Sequence, residues 1–367
     1  MTTYLLAGGG TAGHVNPLLA VADGLRDRDA DAEVLVLGTR EGLEARLVPE
    51  RGYPLLFVDK VPFPRRPGAA AATFPRRFAR AVAQARSHIR DHGVDVVVGF
   101  GGYAAAPAYV AARREGVPVV VHEANAKPGL ANVLGARRAA AVGVAFEGTR
   151  LRGGELVGMP LRREIADLDR DALRGAAAAL FGLSAERPTL LVFGGSLGAQ
   201  RLNEAFEDAG SAVLDAGWQL LLVTGERSEL EDPGREGQAI RRYVDRMDLA
   251  FALADLVVCR AGAATVSEIS ALGIPAVYVP YAVGNGEQSL NAAGAVRTGA
   301  ARLIPDTEFT GDRVRSEIVP LLRDREALDR MRRAAASTGI RTGTANVISL
   351  VDRALGRALG RGPGSPT

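Results

Sequence analysis

Cysteine is all but missing from this chain of 367 residues. Cys259 stands alone, so no intrachain disulfide can form and a reducing compartment is expected. It closes the apolar run "LVVC", where a buried, inert thiol is expected. Lysine is nearly as scarce. Only Lys60 and Lys127 occur, so arginine carries the basic charge, and the net balance is only +3. A balance that small, with arginine and alanine raised together, reads as coding bias and predicts no nucleic-acid partner. No apolar run is long enough to span a bilayer, and no leader-like segment precedes the first apolar strand. The expectation is a soluble or peripheral protein. The four histidines, His14, His88, His92 and His122, lack metal-ligand spacing. The Asp-x-Asp runs at Asp27, Asp29 and Asp31 and at Asp167, Asp169 and Asp171 read as solvated charge, so no metal site is expected.

What is present is the balance of a folded protein, 47% apolar and 24% charged, at a length that suggests two domains. Short apolar runs fall at residues 4–7, 34–37, 55–58, 94–98, 117–121 and 140–145 in the first half. In the second half they fall at 189–193, 219–223, 256–259, 276–279 and 301–304. Longer helical stretches separate them. Near-continuous apolar strands alternating with helices mean parallel sheets covered on both faces. The halves also echo each other: "YLLAGGGTAGH" resembles "TLLVFGGSLGAQ", each a strand, a glycine turn and a helix start. The fold class read here is α/β, with two Rossmann-like doubly wound parallel-sheet domains. The join lies near "VGMPLRREI", dividing residues 1–161 from 162–339. A last helix at about 340–356 is free to pack on either domain, and the Gly/Pro/Ser-rich tail 357–367 reads as disordered.

Glycines after a parallel strand let backbone amides approach an anion at the next helix N-terminus. Such turns occur at residues 8–13, 99–102 and 194–198 and at Gly262. The first is a literal G-x-G-x-x-G, but a dinucleotide also needs an acid at the end of the second strand. Gly38 and Thr39 stand there instead. Arg40 could face the extra phosphate of NADP, which keeps an oxidoreductase reading open, yet His14 has no role in it. The second half carries the better nucleotide signal. "FGGSLGAQ" puts Ser196 and the Gly195 amide at a helix start, and Glu268 of "CRAGAATVSE" is placed to accept from a ribose diol. Glu287, Gln288 and Asn291 of "GNGEQSLNA" suit a polyhydroxylated sugar. Arg162 or Arg260 could stabilise a diphosphate leaving group without a metal. A nucleotide-sugar enzyme and a non-catalytic nucleotide-sugar binder both satisfy these features.

The segment between Lys60 and Arg90 holds no acid. Phe74, Phe78, Val82, Ala85 and Ile89 recur there at helical spacing, among Arg76, Arg77, Arg80, Arg86 and Arg90. The pattern fits either docking on an anionic leaflet or an ordinary core face with a solvated basic side. Taken alone it favours the second.

Several motifs occur in one order: "GGGTAGHVNP", "GFGGYAAAP", "HEANAKPGLAN", "GMPLR", "FGGSLGAQRLN", "CRAGAATVSE" and "GEQSLNA". Together they resemble the MurG family, the family-28 glycosyltransferases that convert lipid I to lipid II in peptidoglycan synthesis. The resemblance covers nearly all of the chain up to about Leu355. It implies a GT-B fold, two Rossmann-like domains facing across a cleft with the last helix returning to the first. It implies transfer of N-acetylglucosamine from UDP-N-acetylglucosamine to the 4-hydroxyl of MurNAc-pentapeptide on undecaprenyl diphosphate. The displacement would be inverting and metal-independent, with no cofactor. Donor binding would fall to Arg162, Ser196, Val244, Ala263, Ala264, Thr265, Val266, Ser267, Glu268 and Gln288, completed by Thr11, Ala12, Gly13 and Asn125. Gly10 and Tyr103 would serve the acceptor. The base would be His14, whose pKa range suits a proton acceptor near neutrality, or Glu123. Phe74, Arg76, Arg77, Phe78 and Arg80 would dock the protein on the anionic cytoplasmic membrane surface as a peripheral enzyme. Other cell-wall synthesis and division proteins would be its partners. A related GT-B transferase for another glycolipid or natural product is the nearest alternative. Glu287, Leu197 and Ala124 depart from the family, each standing where glutamine is common.

Overall fold

The computed structural model describes residues 1–64, 68–195, 199–281 and 286–356. Ser196, Leu197, Gly284, Arg65, Arg66 and the tail 357–367 lie outside the described residues. The chain divides into two units, residues 1–162 with the C-terminal segment from 341, and residues 163–340.

The first unit is built on seven strands: β1 (Thr3–Ala7), β2 (Glu33–Gly38), β3 (Leu55–Phe57), β4 (Val96–Gly99), β5 (Val119–Glu123), β6 (Ala141–Val144) and β7 (Gly154–Leu156). They pair in the order β3-β2-β1-β4-β5-β6-β7, all parallel. Leu5 of β1 lies opposite Leu35 on one side and Val97 on the other. Side-chain alternation splits the apolar strands between two cores. Tyr4, Leu6, Val34, Val36, Val96 and Val98 face the helices Ala12–Arg28 and Gly343–Ala354. Leu5, Leu35, Leu37 and Val97 face the helices Ala69–Asp91, Ala105–Glu115 and Leu130–Ala136. The last helix is held to this unit by Val347, Ile348, Leu350 and Val351 in the core, by an Arg28–Asp352 ion pair at 2.6 Å, and by Asn346 donating to the Val157 carbonyl at 2.9 Å.

The second unit repeats the plan with six parallel strands, β8 (Thr189–Phe193), β9 (Gln219–Val223), β10 (Gln238–Arg241), β11 (Leu256–Cys259), β12 (Ala276–Tyr278) and β13 (Ala301–Leu303). Their order is β10-β9-β8-β11-β12-β13. Leu190, Val192, Leu220, Leu222 and Val258 pack against the helix Gln200–Asp215 through Leu202, Ala205 and Phe206. Cys259 is fully buried, and burial pushes its thiol pKa well up, consistent with an inert structural sulfur. In both sheets the strand order reverses beside the first strand, between β1 and β4 and between β8 and β11. A doubly wound sheet opens its ligand crevice at that point, beyond the strand carboxyl ends.

Two strands have no counterpart in the apolar runs. β7 is three exposed residues at a sheet edge, and β10 reads "QAIR" at the opposite kind of edge. β7 is exposed along its length, and β10 buries only Ala239 and Ile240 between two polar ends, so neither makes an apolar run long enough to mark a strand.

Candidate functional site

Each switch point carries a glycine turn. In the first unit, the turn after β1 runs through Gly8, Gly9 and Gly10 into the helix Ala12–Arg28, with Thr11 as the residue before it. The turn after β4 lies against it. Gly102 has a φ of +81°, and a Cβ there would collide with the Gly9 carbonyl oxygen, so only glycine lets the two turns meet. His14 sits in the first turn of the helix, half-buried, with Nδ1 3.2 Å from the Thr11 hydroxyl. Its ring lies over Gly101, where a Cβ would stand 3.1 Å from Nε2. Thr11 and Ala12 are exposed and Gly13 half-buried. Tyr103 is exposed, and the Lys60 ammonium stands 5.3 Å from its ring centroid.

A buried hydrogen-bond chain supports this floor. The Tyr109 hydroxyl, which meets the Gly101 backbone, donates to Asn132 Oδ1 at 2.7 Å. Asn132 Nδ2 in turn donates to Glu123 Oε2 at 2.9 Å. Glu123 is only 2% exposed. Its Oε2 also accepts from the Gly129 amide at 2.9 Å, and its Oε1 accepts from the Asn125 amide at 2.9 Å. Both oxygens are thus spent on holding the loop between β5 and the helix Leu130–Ala136. Tyr109 and Asn132 were not singled out from the sequence, although Asn132 ends the motif "HEANAKPGLAN". Burial drives the Tyr109 pKa well up, so the phenol keeps its donor proton. Burial also lowers the His122 pKa to about 4, leaving a neutral ring whose Nε2 donates to the Gly158 carbonyl at 3.0 Å. His122 Nδ1 is buried without a partner.

The second unit presents a pocket of about 800 Å³ at its switch point. Phe193, Gly194, Gly195, Gly262, Thr265 and Gln288 line it, with Arg260, Asp306, Arg201 and Tyr281. The helix Ala263–Ala271 starts at this pocket. Helical spacing puts Ala263 and Val266 in the core, while Ala264, Thr265, Ser267 and Glu268 are half-buried. The Val266 amide donates to the Gly262 carbonyl at 2.9 Å, so neither its side chain nor its amide is offered to a ligand. Gln288 Oε1 accepts from the Ala261 amide at 3.2 Å and the Tyr281 amide at 2.9 Å, which leaves Nε2 to face a ligand. Arg260 forms an ion pair with Asp306 and donates to the Val279 carbonyl at 3.0 Å. Asp306 also lies 3.5 Å from Arg201, so two arginines share one carboxylate at this pocket. Val244 is buried in the turn before the helix Met247–Leu253 and does not line this pocket. Arg162 is the last residue of the first unit before the C-terminal segment. Among the described residues, no group of three or more His, Cys, Asp or Glu side chains is placed to hold a metal ion.

The basic helix Ala69–Asp91 divides differently from the reading that joined its apolar positions into one docking stripe. Val82, Ala85 and Ile89 are core. Phe74 and Phe78 are half-buried and stack at 5.5 Å, and Phe63 lies 5.4 Å from Phe74. Arg80 pairs with Asp59 at 3.0 Å, Arg77 donates to the Lys60 carbonyl at 2.9 Å, and Arg86 and Arg90 share Glu115. Arg76 is exposed. The unneutralised charge lies at the end of the helix Ala105–Glu115 and just past the helix Leu130–Ala136. Arg113, Arg114, Arg137 and Arg138 ring a pocket of about 710 Å³ floored by Val110, Val119 and Leu134. The sequence reading passed over these four. No helix of the described residues is long and apolar enough to cross a membrane.

Comparison with known proteins extends over almost the whole chain. Residues 4–144 match the glycosyltransferase family 28 N-terminal domain, and residues 189–347 match the family's C-terminal domain. A UDP-N-acetylglucosamine--N-acetylmuramyl-(pentapeptide) pyrophosphoryl-undecaprenol N-acetylglucosamine transferase of Clavibacter sepedonicus is 61% identical, with 96% of each chain covered. The protein of the same description from Leifsonia xyli subsp. xyli is 58% identical over 98% of this chain and 100% of its own. Among solved structures, Acinetobacter baumannii MurG superposes with a TM-score of 0.80 at 29% identity, covering 96% of this chain and 100% of that one.

Proposed function

The chain belongs to glycosyltransferase family 28, and from that premise we propose how its two units divide the work of a GT-B transferase. The reaction is that of its relatives: N-acetylglucosamine passes from UDP-N-acetylglucosamine to lipid I, and lipid II is formed. The second unit binds the donor. The observation that carries this is the pocket at its switch point, where Gly195 and a helix start meet the Gln288 amide. Backbone amides there suit the diphosphate, Gln288 Nε2 suits a sugar hydroxyl, and Glu268 suits the ribose. Arg260, fixed by Asp306, shapes the wall.

The first unit takes the acceptor and supplies the base. The acceptor 4-hydroxyl attacks the anomeric carbon, the bond to UDP breaks, and UDP leaves with the electron pair, so the centre inverts. His14 takes the hydroxyl proton. Its half-buried ring can be reached by a substrate, and the Thr11 hydroxyl orients it. Glu123 is the poorer base, because protonating it would break bonds to Asn125, Gly129 and Asn132. It acts as a positioning residue.

The first unit also docks on an anionic membrane surface, at the cytoplasmic face where the lipid acceptor is held. Support comes from Arg113, Arg114, Arg137 and Arg138, none of which pairs with a carboxylate among the described residues, and from exposed Arg76 on the helix Ala69–Asp91.

The deciding experiment is UDP release from UDP-N-acetylglucosamine with a short-chain lipid I analogue, in EDTA, comparing wild type with His14→Ala. Acceptor-dependent release should survive EDTA and fall about 100- to 10,000-fold in the variant, with donor binding retained. Equal rates would remove His14 as the base. Donor binding without release by the wild type would favour a binding-only protein or another acceptor. In the same preparation, reversing Arg113 and Arg114 should weaken sedimentation with anionic vesicles by about tenfold or more.

A further inference from the structure

Glu44 belongs to none of the motifs, yet it is 0% exposed. Its Oε2 accepts from the Gly10 amide at 2.7 Å. Its Oε1 accepts from the Thr39 amide at 2.9 Å and the Thr39 hydroxyl at 2.8 Å. One carboxylate therefore ties the turn after β1 to the turn after β2. Missing side chains make the space for it: a Cβ at Gly9 or at Gly42 would collide with the carboxylate itself.

In a dinucleotide-binding turn, amides at this place face a pyrophosphate. Here a protein carboxylate takes the Gly10 amide, and its negative charge lies under the turn. We infer that Glu44 is a positioning residue of the acceptor turn: it fixes Gly10 so that Thr11 and His14 start the helix in one orientation. A buried carboxylate that accepts three hydrogen bonds is a stiff support, because releasing any one leaves a charged group short of partners. The effect on catalysis rests on His14 being the base, as proposed above. The clamp itself does not.

Glu44→Gln keeps the shape but turns an NH2 towards one of the two amides. Glu44→Asp keeps the charge and falls one methylene short. Amide hydrogen exchange, UDP-N-acetylglucosamine affinity and the kcat/KM split are then read for each. In the wild type the Gly10 and Thr39 amides should exchange slowly. In Glu44→Gln, exchange across residues 9–14 should quicken about tenfold or more, while the second unit is unchanged. The kcat should fall about tenfold or more, with donor KM within about twofold, and Glu44→Asp should recover part of the loss. Fast exchange of the Gly10 amide in the wild type would overturn the inference without any variant. A Glu44→Gln protein that exchanges and turns over like the wild type would also overturn it, as would one whose donor affinity falls along with kcat. If Glu44→Gln loosens the turn while His14→Ala is fully active, the clamp stands and the base assignment falls.

Discussion

The two glycine turns look alike in sequence and behave differently in space. Both follow the first strand of a parallel sheet, and both lead into a helix. The turn after β1 is closed from beneath by the Glu44 carboxylate and from the side by Gly101 and Gly102. After β8, Gly194 and Gly195 line a pocket of about 800 Å³. What differs is the partner that arrives from elsewhere in the chain. An acid stands at each place, but Glu44 takes a backbone amide, whereas Asp306 takes an arginine. A glycine signature reports that backbone can come close to something. The residue that folds back against it decides whether that something is a ligand or the protein's own carboxylate.

The comparison can be broken at the second turn with the largest effect. Arg260 and Asp306 are each about nine-tenths buried as side chains. Arg260→Ala should cost about 3 kcal/mol of stability in denaturant unfolding, because Asp306 loses its main cation. It should weaken UDP-N-acetylglucosamine binding, measured by titration, and leave anionic-vesicle binding by the first unit unchanged. A stable variant with normal donor affinity would remove the ion pair as the wall of that pocket.

The first unit should be sharpened by pH. His122 titrates near 4 when folded and near 6.5 when unfolded, so the unfolded chain binds more protons between those values. Its contribution is therefore full above about pH 6.5 and is lost as pH falls towards 4, amounting to about 2 kcal/mol at pH 5. Thermal melts at pH 7 and pH 5 should show that loss, and His122→Gln should flatten it. An equal pH response in both proteins would remove His122 as its source.

The smallest effect is expected from Tyr109→Phe. It deletes the link between Gly101 and Asn132 while keeping the ring. It should cost about 1 to 2 kcal/mol in melts, because the Asn132 carbonyl loses its partner in the core. It should also lower kcat severalfold without changing donor affinity. A kcat equal to wild type would show that the chain from Glu123 to Gly101 supports folding alone.

Most central strands were legible because a strand buried on both faces must be apolar throughout, as in "YLLA" and "LLVF". β7 and β10 were not, since "GEL" and "QAIR" hold too short an apolar run to mark a strand. His14, Thr265 and Gln288 could be found from motifs. Glu44 could not. In "TREGLEARL" it looks like one more charge on a surface helix, and Gly9, Gly38 and Gly42 become its cradle only when three segments converge. Asp59, outside the acid-free stretch, is likewise brought to Arg80 only by the fold.

The sequence by itself determined the two doubly wound sheets, the place of both switch points and the family, because these follow from local periodicity and from motifs read in order. Only the tertiary structure decided which oxygens and amides were already spent. Glu123 meets Asn125, Gly129 and Asn132, Arg260 meets Asp306, and Glu44 meets Gly10 and Thr39. The physical reason is the same in each case: a buried polar group must find its partner, and that partner is chosen by distance in space, which the order of residues does not carry.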